Sequence, residues 1–406
     1  MKITIDAVEL KKAIKRVNTI KVKGQHLPIL QHIKFDALQS LTLCKTDLDS
    51  TVVITCRNAR IDCPGSALIL EKWITNIVKK MTGTISIEAK TETKTWQEPI
   101  ASEDSNQSDY DAESEYLFFQ RIFLHYDYVT KSETVRTLIL TNNNIEYTTK
   151  LEYSISDYPV IPFETVELRD LNEKSFSQAV RQVIYSTSKD EVRYNQNCVC
   201  FEPYSDDVFR LVATDSHRLS VSHAVIPLKS DRQVLIHKDA LKVVLALLEP
   251  NMQIGRFASK ERQNTFFISG KTMIIVRGQD YDFPDYKVVF PDMTKHEIML
   301  NREQIEPAIL QAMTTNDRKY VVFVLNENGL LITDSHIPEN QTIKASFPDV
   351  HNGCAETFSM DGSLFLDALN ACDGQALVKW NDAQSAFVFV RNGQDTDVNL
   401  VMPVRL

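Results

Sequence analysis

An α+β fold made of one module written three times is what this sequence predicts. Three features recur in the same order along its 406 residues: an amphipathic helix, a strand ending in Thr-Asp, and a proline-bearing closing segment.

The helix opens each copy. Val8 to Asn18 sets Leu10, Ala13, Ile14 and Val17 on one face, and Ser175 to Ile184 does the same with Phe176, Ala179, Val180 and Val183. Ile305 to Met313 aligns Ile305, Ala308, Ile309 and Ala312. Spacings of three and four bring such residues to one side of a helix, where they are buried together.

The strand and the closing segment follow. The strands are LTLCKTDLD at 41–49, FRLVATDSHRLS at 209–220 and LLITDSH at 330–336. The closing segments are DYPVIP at 157–162, DFPDYKVVFP at 282–291 and MPVRL at 402–406. Thr214 and Pro284 lie 70 positions apart, and so do Thr333 and Pro403. Unrelated domains would not keep that offset. Thr46 and Pro159 are 113 apart, an excess of 43 that falls between Lys90 and Asn144. There Gln97 to Glu115 (QEPIASEDSNQSDYDAESE) is acidic, serine-rich and poor in large apolar groups, which predicts an inserted mobile loop.

Each copy also holds a second helix: Leu70 to Met81, Lys238 to Leu248, and Ser363 to Cys372. Alternating stretches such as Thr51 to Cys56, Thr265 to Ser269, Met273 to Arg277 and Ala386 to Arg391 predict short strands. Each module is then two helices packed on antiparallel sheet. The modules run 1–164 with the insertion near 97–115, 165–292, and 293–406.

Composition narrows the function. Hydrophobic residues at 43% and charged residues at 24% are those of a globular chain with a packed core. A net charge of −9 argues against a wholly basic surface but leaves room for a local basic lining. No apolar signal core precedes the charges of MKITIDAVELKKAIKRV, and the most apolar helical stretch, Leu241 to Leu248, is too short for a bilayer. A membrane role is not expected. Seven cysteines without a C-x-x-C pair or framework spacing fit a reducing cytoplasm. Cys198 and Cys200 alternate around Val199 as two core thiols on one strand face, the alternative being half of a zinc site.

Asp215, Ser216 and His217 invite comparison with a nucleophilic triad. Consecutive residues at a strand end point to alternate faces and cannot assemble one. The string returns as Thr333-Asp334-Ser335-His336, and no G-x-S-x-G elbow, phosphate loop or metal-spaced histidine pair accompanies it. A hydrolase using His217 is therefore the third reading, behind two that involve no catalysis.

Those two come from a family resemblance. Leu27-Pro28-Ile29-Leu30, Thr46-Asp47-Leu48, Val192-Arg193-Tyr194, Ala213-Thr214-Asp215-Ser216-His217-Arg218-Leu219, Phe283-Pro284-Asp285-Tyr286 and Val401-Met402-Pro403-Val404-Arg405-Leu406 occur in that order. Together they resemble the bacterial DNA polymerase III beta subunit, the beta sliding clamp, along the whole chain. The resemblance implies a DNA clamp fold and a head-to-tail homodimer whose six modules ring double-stranded DNA without reading its sequence. It implies tethering of the replicative polymerase, the clamp loader and repair proteins through short linear peptides. No catalytic residue, metal or cofactor is implied. The alternative is a clamp-fold scaffold that has lost DNA tethering.

By position, the resemblance places Arg193, Thr214, His217, Arg218, Leu219, Pro284, Val289, Met360, Met402, Pro403, Val404, Arg405 and Leu406 along the peptide groove. Leu219, Val289, Met360 and Val404 would be its apolar walls, and Arg193, Arg218 and Arg405 would meet peptide carbonyls or acids. Toward DNA the first helix offers Lys11, Lys12, Lys15 and Arg16, followed by Lys21 and Lys23. The second offers Lys72, Lys79 and Lys80 while burying Trp73, Ile74, Ile77 and Val78. Arg181 and Lys242 are candidates in the next module, and Glu303, Glu306 and Asp367 dilute the basic character of the third. Departures are visible too. Gln196 stands where the family has leucine, Val288 where a basic residue is common, and Gly24 where an arginine often contacts DNA. Ser216 replaces a glycine, so this turn is expected to do without the φ > 0 freedom of glycine. Asp361-Gly362 is an addition before the last helix.

Overall fold

The computed structural model describes residues 1–406 except 23–26, 102–125, 161–164, 229–231, 259–262, 292–293, 315–317, 335–343, 351–352, 354, 392–393 and 406. The chain divides into two compact units, 1–45 with 53–160, and 46–52 with 161–406.

In the first unit the predicted helices are α1 (Ala7–Val17) and α2 (Glu71–Val78). Asp6 caps α1, its side chain accepting from Val8 N and Glu9 N, and Ala7, Leu10, Ala13, Ile14 and Val17 are buried. The second helix is shorter than expected, because Lys79 and Lys80 already lie in the turn beyond it. Ile74 and Val78 are buried, while Trp73 and Ile77 are only half-buried. Asn18 Nδ2 donates to Thr75 Oγ1 at 3.1 Å, tying the helices side by side. The strand Lys2–Asp6 pairs on one side with Arg60–Cys63 and on the other with Thr84–Ala101.

Here one expectation is corrected. Gln97 to Ala101, read as loop, continue the strand Thr84–Ala101, which pairs with Tyr126–Asn142 from Ser86↔Thr141 out to Ala101↔Tyr126. The Tyr- and Val-bearing segment 126–130 supplies a strand partner that the acidic composition of 97–115 concealed. The rest of the predicted loop, 102–115, lies outside the described residues.

The second unit carries α3 (Glu173–Ile184), α4 (Lys238–Leu247), α5 (Arg302–Met313) and α6 (Gly362–Ala371). Predicted and observed helix ends agree to within three residues. The helices bury the faces the periodicity marks, Phe176, Ala179, Val180 and Val183 on α3 and Ile305, Ala308, Ile309 and Ala312 on α5. The added Asp361-Gly362 has a local use. Asp361 caps α6 by accepting from Ser363 N and Leu364 N, and a Cβ on Gly362 would come within 2.8 Å of Met313 Cγ and 3.0 Å of Val321 Cγ2.

One sheet runs through 165–292 and 293–406. Gln394–Val401 is flanked by Phe387–Arg391 and by Arg218–Val225, with Arg218↔Val401 and Ser220↔Asn399 in register. From Arg218–Val225 it continues through Val208–Thr214, Cys198–Ser205 and Val234–His237. A separate four-stranded sheet includes Tyr320–Asn326 paired with Glu356–Asp361. Among the described residues no helix is long and apolar enough to cross a membrane.

Candidate functional site

The hairpin joining Val208–Thr214 to Arg218–Val225 is closed by its own side chains. Thr214 Oγ1 donates to Arg218 O at 2.7 Å and accepts from Ser216 N at 3.2 Å. Asp215 Oδ1 accepts from His217 N and Arg218 N, both at 3.0 Å, as an Asx-type turn requires. Ser216 sits at φ +77°, which corrects the expectation that serine would forgo the left-handed region. The first copy builds the same turn. Thr46 Oγ1 donates to Ser50 O at 2.9 Å, Asp47 Oδ1 accepts from Asp49 N and Ser50 N, and Leu48 is at φ +80°. In both copies Thr-Asp thus builds a turn that holds a residue other than glycine at positive φ.

Arg218 is not where the resemblance suggested. Its guanidinium is buried, with Nε donating to Asp215 Oδ2 at 2.9 Å and Nη1 to Asp367 Oδ2 at 2.6 Å, over the Tyr185 ring at 5.1 Å. It holds the turn from beneath and does not reach outward to a ligand. Asp367, which sequence reasoning treated only as a diluting charge, is its partner on α6. Leu219 and Met360 are buried as well, in two different clusters.

The chain after Val401 lies against this turn. Met402 N donates to His217 O at 2.9 Å, and Val404 N donates to Ser359 O at 2.8 Å, next to Met360. Met402, Pro403 and Val404 are half-buried, His217 and Arg405 are exposed, and Leu406 lies outside the described residues. Met402 packs with Phe283 and Phe290 on a cluster that includes Leu219, Val221 and Tyr286, which brings the Pro284–Val289 segment to the same place. Pro284 is half-buried and Val289 exposed.

A third element bridges to the turn. Arg193 Nη1 donates to Asp215 O at 3.3 Å and to Ser216 Oγ at 3.1 Å, and Gln196 Nε2 donates to Ser216 Oγ at 2.9 Å. Gln196 in place of leucine therefore makes a polar bridge with Ser216, a coupling that neither residue shows alone. These bonds also dispose of the triad. The Asp215 carboxylate serves the backbone and Arg218, and Ser216 Oγ serves Arg193 and Gln196. The thiols are inert in the same sense: burial pushes Cys198 and Cys200 up to about 12. No group of three or more potential metal ligands occurs among the described residues.

The basic candidates gather in part. In the first unit Lys11, Lys15, Lys21 and Lys79 line a cleft of about 350 Å³ floored by Ile14 and Val78. Lys21 and Lys72 line another of about 400 Å³ with Gln31 and Asn76. Lys11 is already engaged, its Nζ donating to Met81 O at 2.6 Å. Lys12 and Lys80 are exposed but line neither cleft, Arg16 is half-buried, and Lys23 lies outside the described residues. In the second unit Arg181 is exposed, and Lys242 Nζ pairs with Asp239 at 2.9 Å.

Residues 170–285, which carry Arg193, the turn and Pro284, match the family model for the DNA polymerase III beta subunit, central domain. The beta sliding clamp of Vibrio cholerae is 26% identical over 289 residues, 67% of this chain and 76% of that one. That of Bacillus subtilis is 25% identical over 257 residues, 61% of this chain and 68% of the relative. The crystal structure of the DNA polymerase sliding clamp from Bacillus subtilis superposes with a TM-score of 0.80 at 20% identity, over 100% of this chain and 99% of that one. The chain has the clamp fold from end to end.

Proposed function

Because the chain belongs to the DNA polymerase III beta subunit family, we propose that it works as a sliding clamp, a homodimeric ring around duplex DNA that tethers the replicative polymerase and other DNA-processing proteins. The observation that carries this reading is the family match over 170–285, set in a clamp fold that spans the whole chain. In this role the protein does no chemistry, needs no cofactor and works in the cytoplasm. Its three modules are 1–164, 165–292 and 293–406, and two chains supply the six that close a ring.

The peptide groove runs along the 214–218 turn, the 402–405 segment and the Pro284–Val289 segment. His217, Pro284, Val289, Met402, Pro403, Val404, Arg405 and Leu406 meet the ligand there. Thr214, Arg218, Leu219 and Met360 hold the groove from beneath, and Arg193 closes one end. Two apolar anchors at about 1.5–3 kcal/mol each, with a few backbone hydrogen bonds, give roughly micromolar binding, suited to partners that exchange. Toward DNA, Lys12, Lys15, Arg16, Lys21, Lys23, Lys72, Lys79, Lys80, Arg181 and Lys242 contact phosphates without reading bases. Weak contacts suffice because encirclement, not affinity, retains the ring.

The test is retention on DNA after loading. The protein should stay on a nicked circle through gel filtration and be lost when the circle is linearised. Equal retention on both forms would reject the ring. Binding of partner peptides without any loading would favour the scaffold alternative.

A further inference from the structure

Beside the groove lies a surface feature that the clamp reading leaves unused. The rings of Tyr194 and Tyr281 stack with centroids 6.0 Å apart and 22° between their planes, yet the residues are 62% and 46% exposed. Five of the seventeen large hydrophobics exposed among the described residues fall on 192–194 and 281–289: Val192, Tyr194, Tyr281, Val288 and Val289. Apolar groups concentrated on one patch mark a contact surface more often than the same groups scattered singly.

The patch is held in place and is continuous with the groove. Asn195 Nδ2 donates to Asp282 O at 3.1 Å, joining the two segments, and Arg193 ties the first of them to the 214–218 turn. Phe283, two residues from Tyr281, packs on the same cluster as Met402. The surroundings are acidic. Arg193 pairs with Asp190 and Lys287 with Glu202, so in the two segments that carry the rings the exposed Glu191, Asp280 and Asp282 outnumber Lys189. Such a rim repels phosphate backbones and favours cations.

We infer that the Tyr194–Tyr281 pair is a second docking platform, on which a partner peptide anchored in the groove lays an aromatic side chain flanked by lysine or arginine. The ring faces supply stacking and cation–π attraction, and the carboxylates select the sign of the flanking charge. This inference rests on the groove reading and adds the chemistry of the partner beyond its apolar anchors.

Fluorescence anisotropy of the full chain with three synthetic peptides separates the two. One carries two adjacent leucines as its only anchors. The others extend it, at either end, with Lys-Tyr-Lys or Glu-Tyr-Glu. The Lys-Tyr-Lys form should bind about three- to tenfold more tightly than the anchor alone. That gain should vanish in Tyr194→Ala and Tyr281→Ala and shrink in Asp280→Asn/Asp282→Asn, a variant that also serves if a tyrosine variant fails to fold. Anchor binding without a gain, an equal gain from Glu-Tyr-Glu, or a gain that survives the tyrosine variants overturns the platform alone. Failure of the anchor peptide to bind, or equal binding to a chain truncated after Val401, overturns the groove and the platform with it. A fall in oligomer mass on Tyr281→Ala would give the patch to a second copy of the chain and overturn the peptide assignment.

Discussion

Arg218 Nη1 donates to Asp367 Oδ2 at 2.6 Å, which ties the hairpin turn of one predicted module to the last helix of the next. The pair is asymmetric: the Arg218 side chain is 5% exposed and that of Asp367 47%. Removing the buried partner should therefore cost more. Arg218→Ala leaves Asp215 without its guanidinium and empties the space over Tyr185. It should lower stability by about 2–3 kcal/mol, below the range for a fully buried pair because Asp367 is half in water. Asp367→Asn should cost less than about 1 kcal/mol. Urea midpoints of the two variants check the order, and equal losses would mean that Arg218 does not organise this junction.

Ser216 combines a backbone cost with a side-chain gain. A left-handed conformation costs an L-residue about 1–2 kcal/mol, and glycine avoids it. Serine offsets the cost through Oγ, which accepts from Arg193 and Gln196. Ser216→Ala keeps the strain and loses both bonds, so it should destabilise by about 1–2 kcal/mol. Ser216→Gly loses the bonds but relieves the strain, and should lie within about 0.5 kcal/mol of the parent. Thermal unfolding of both variants tests this. An alanine variant as stable as the parent would show that the bridge contributes nothing.

What could be read in advance follows the range of the interaction. Helix faces such as Phe176-Ala179-Val180-Val183 and turns such as Thr214-Asp215 are set within a few residues, and both were legible. The destination of Arg218 was not, because Asp367 lies 149 positions away and no local pattern couples them. The Gln196–Ser216 bridge fails for a related reason: the two residues lie 20 positions apart, and only the structure brings them to a 2.9 Å contact. Strand Gln97 to Ala101 was missed because its partner, near 126–130, lies beyond the acidic stretch.

Buried thiols make the protein sensitive to alkali. Burial raises Cys44, Cys198 and Cys200 from 9.0 to about 12 and Cys372 to about 11. Each folded pKa lies above its unfolded value, so the stabilisation is whole below pH 9 and is lost as pH rises toward 11–12. Over that window each thiol removes up to about 1.4 kcal/mol per pH unit. Urea midpoints should be flat from pH 7 to 8.5 and fall with growing slope above pH 9. Replacing Cys44 and Cys198 by alanine should flatten the fall, and an unchanged slope would place its origin elsewhere.

The cleft between α1 and α2 allows the proposed DNA contacts to be separated from structural lysines. Lys15 and Lys79 are exposed on its rim, while Lys11, on the same cleft, donates to Met81 O at 2.6 Å. A lysine that meets a phosphate releases counterions, so each loss lowers the slope of log K against log salt by about 0.9. Lys15→Gln with Lys79→Gln should then reduce the slope for a linear duplex by about 1.8 at unchanged stability. Lys11→Gln should do the reverse, lowering the unfolding midpoint while leaving the slope within error. In the second unit, Lys242→Gln should have a smaller effect than either rim lysine, because its ammonium already pairs with Asp239. Salt titrations of duplex binding, run beside urea melts, distinguish these outcomes. A slope insensitive to Lys15 and Lys79 would move the DNA path off this cleft, and one sensitive to Lys11 alone would mean that helix packing, not phosphate contact, sets the salt dependence.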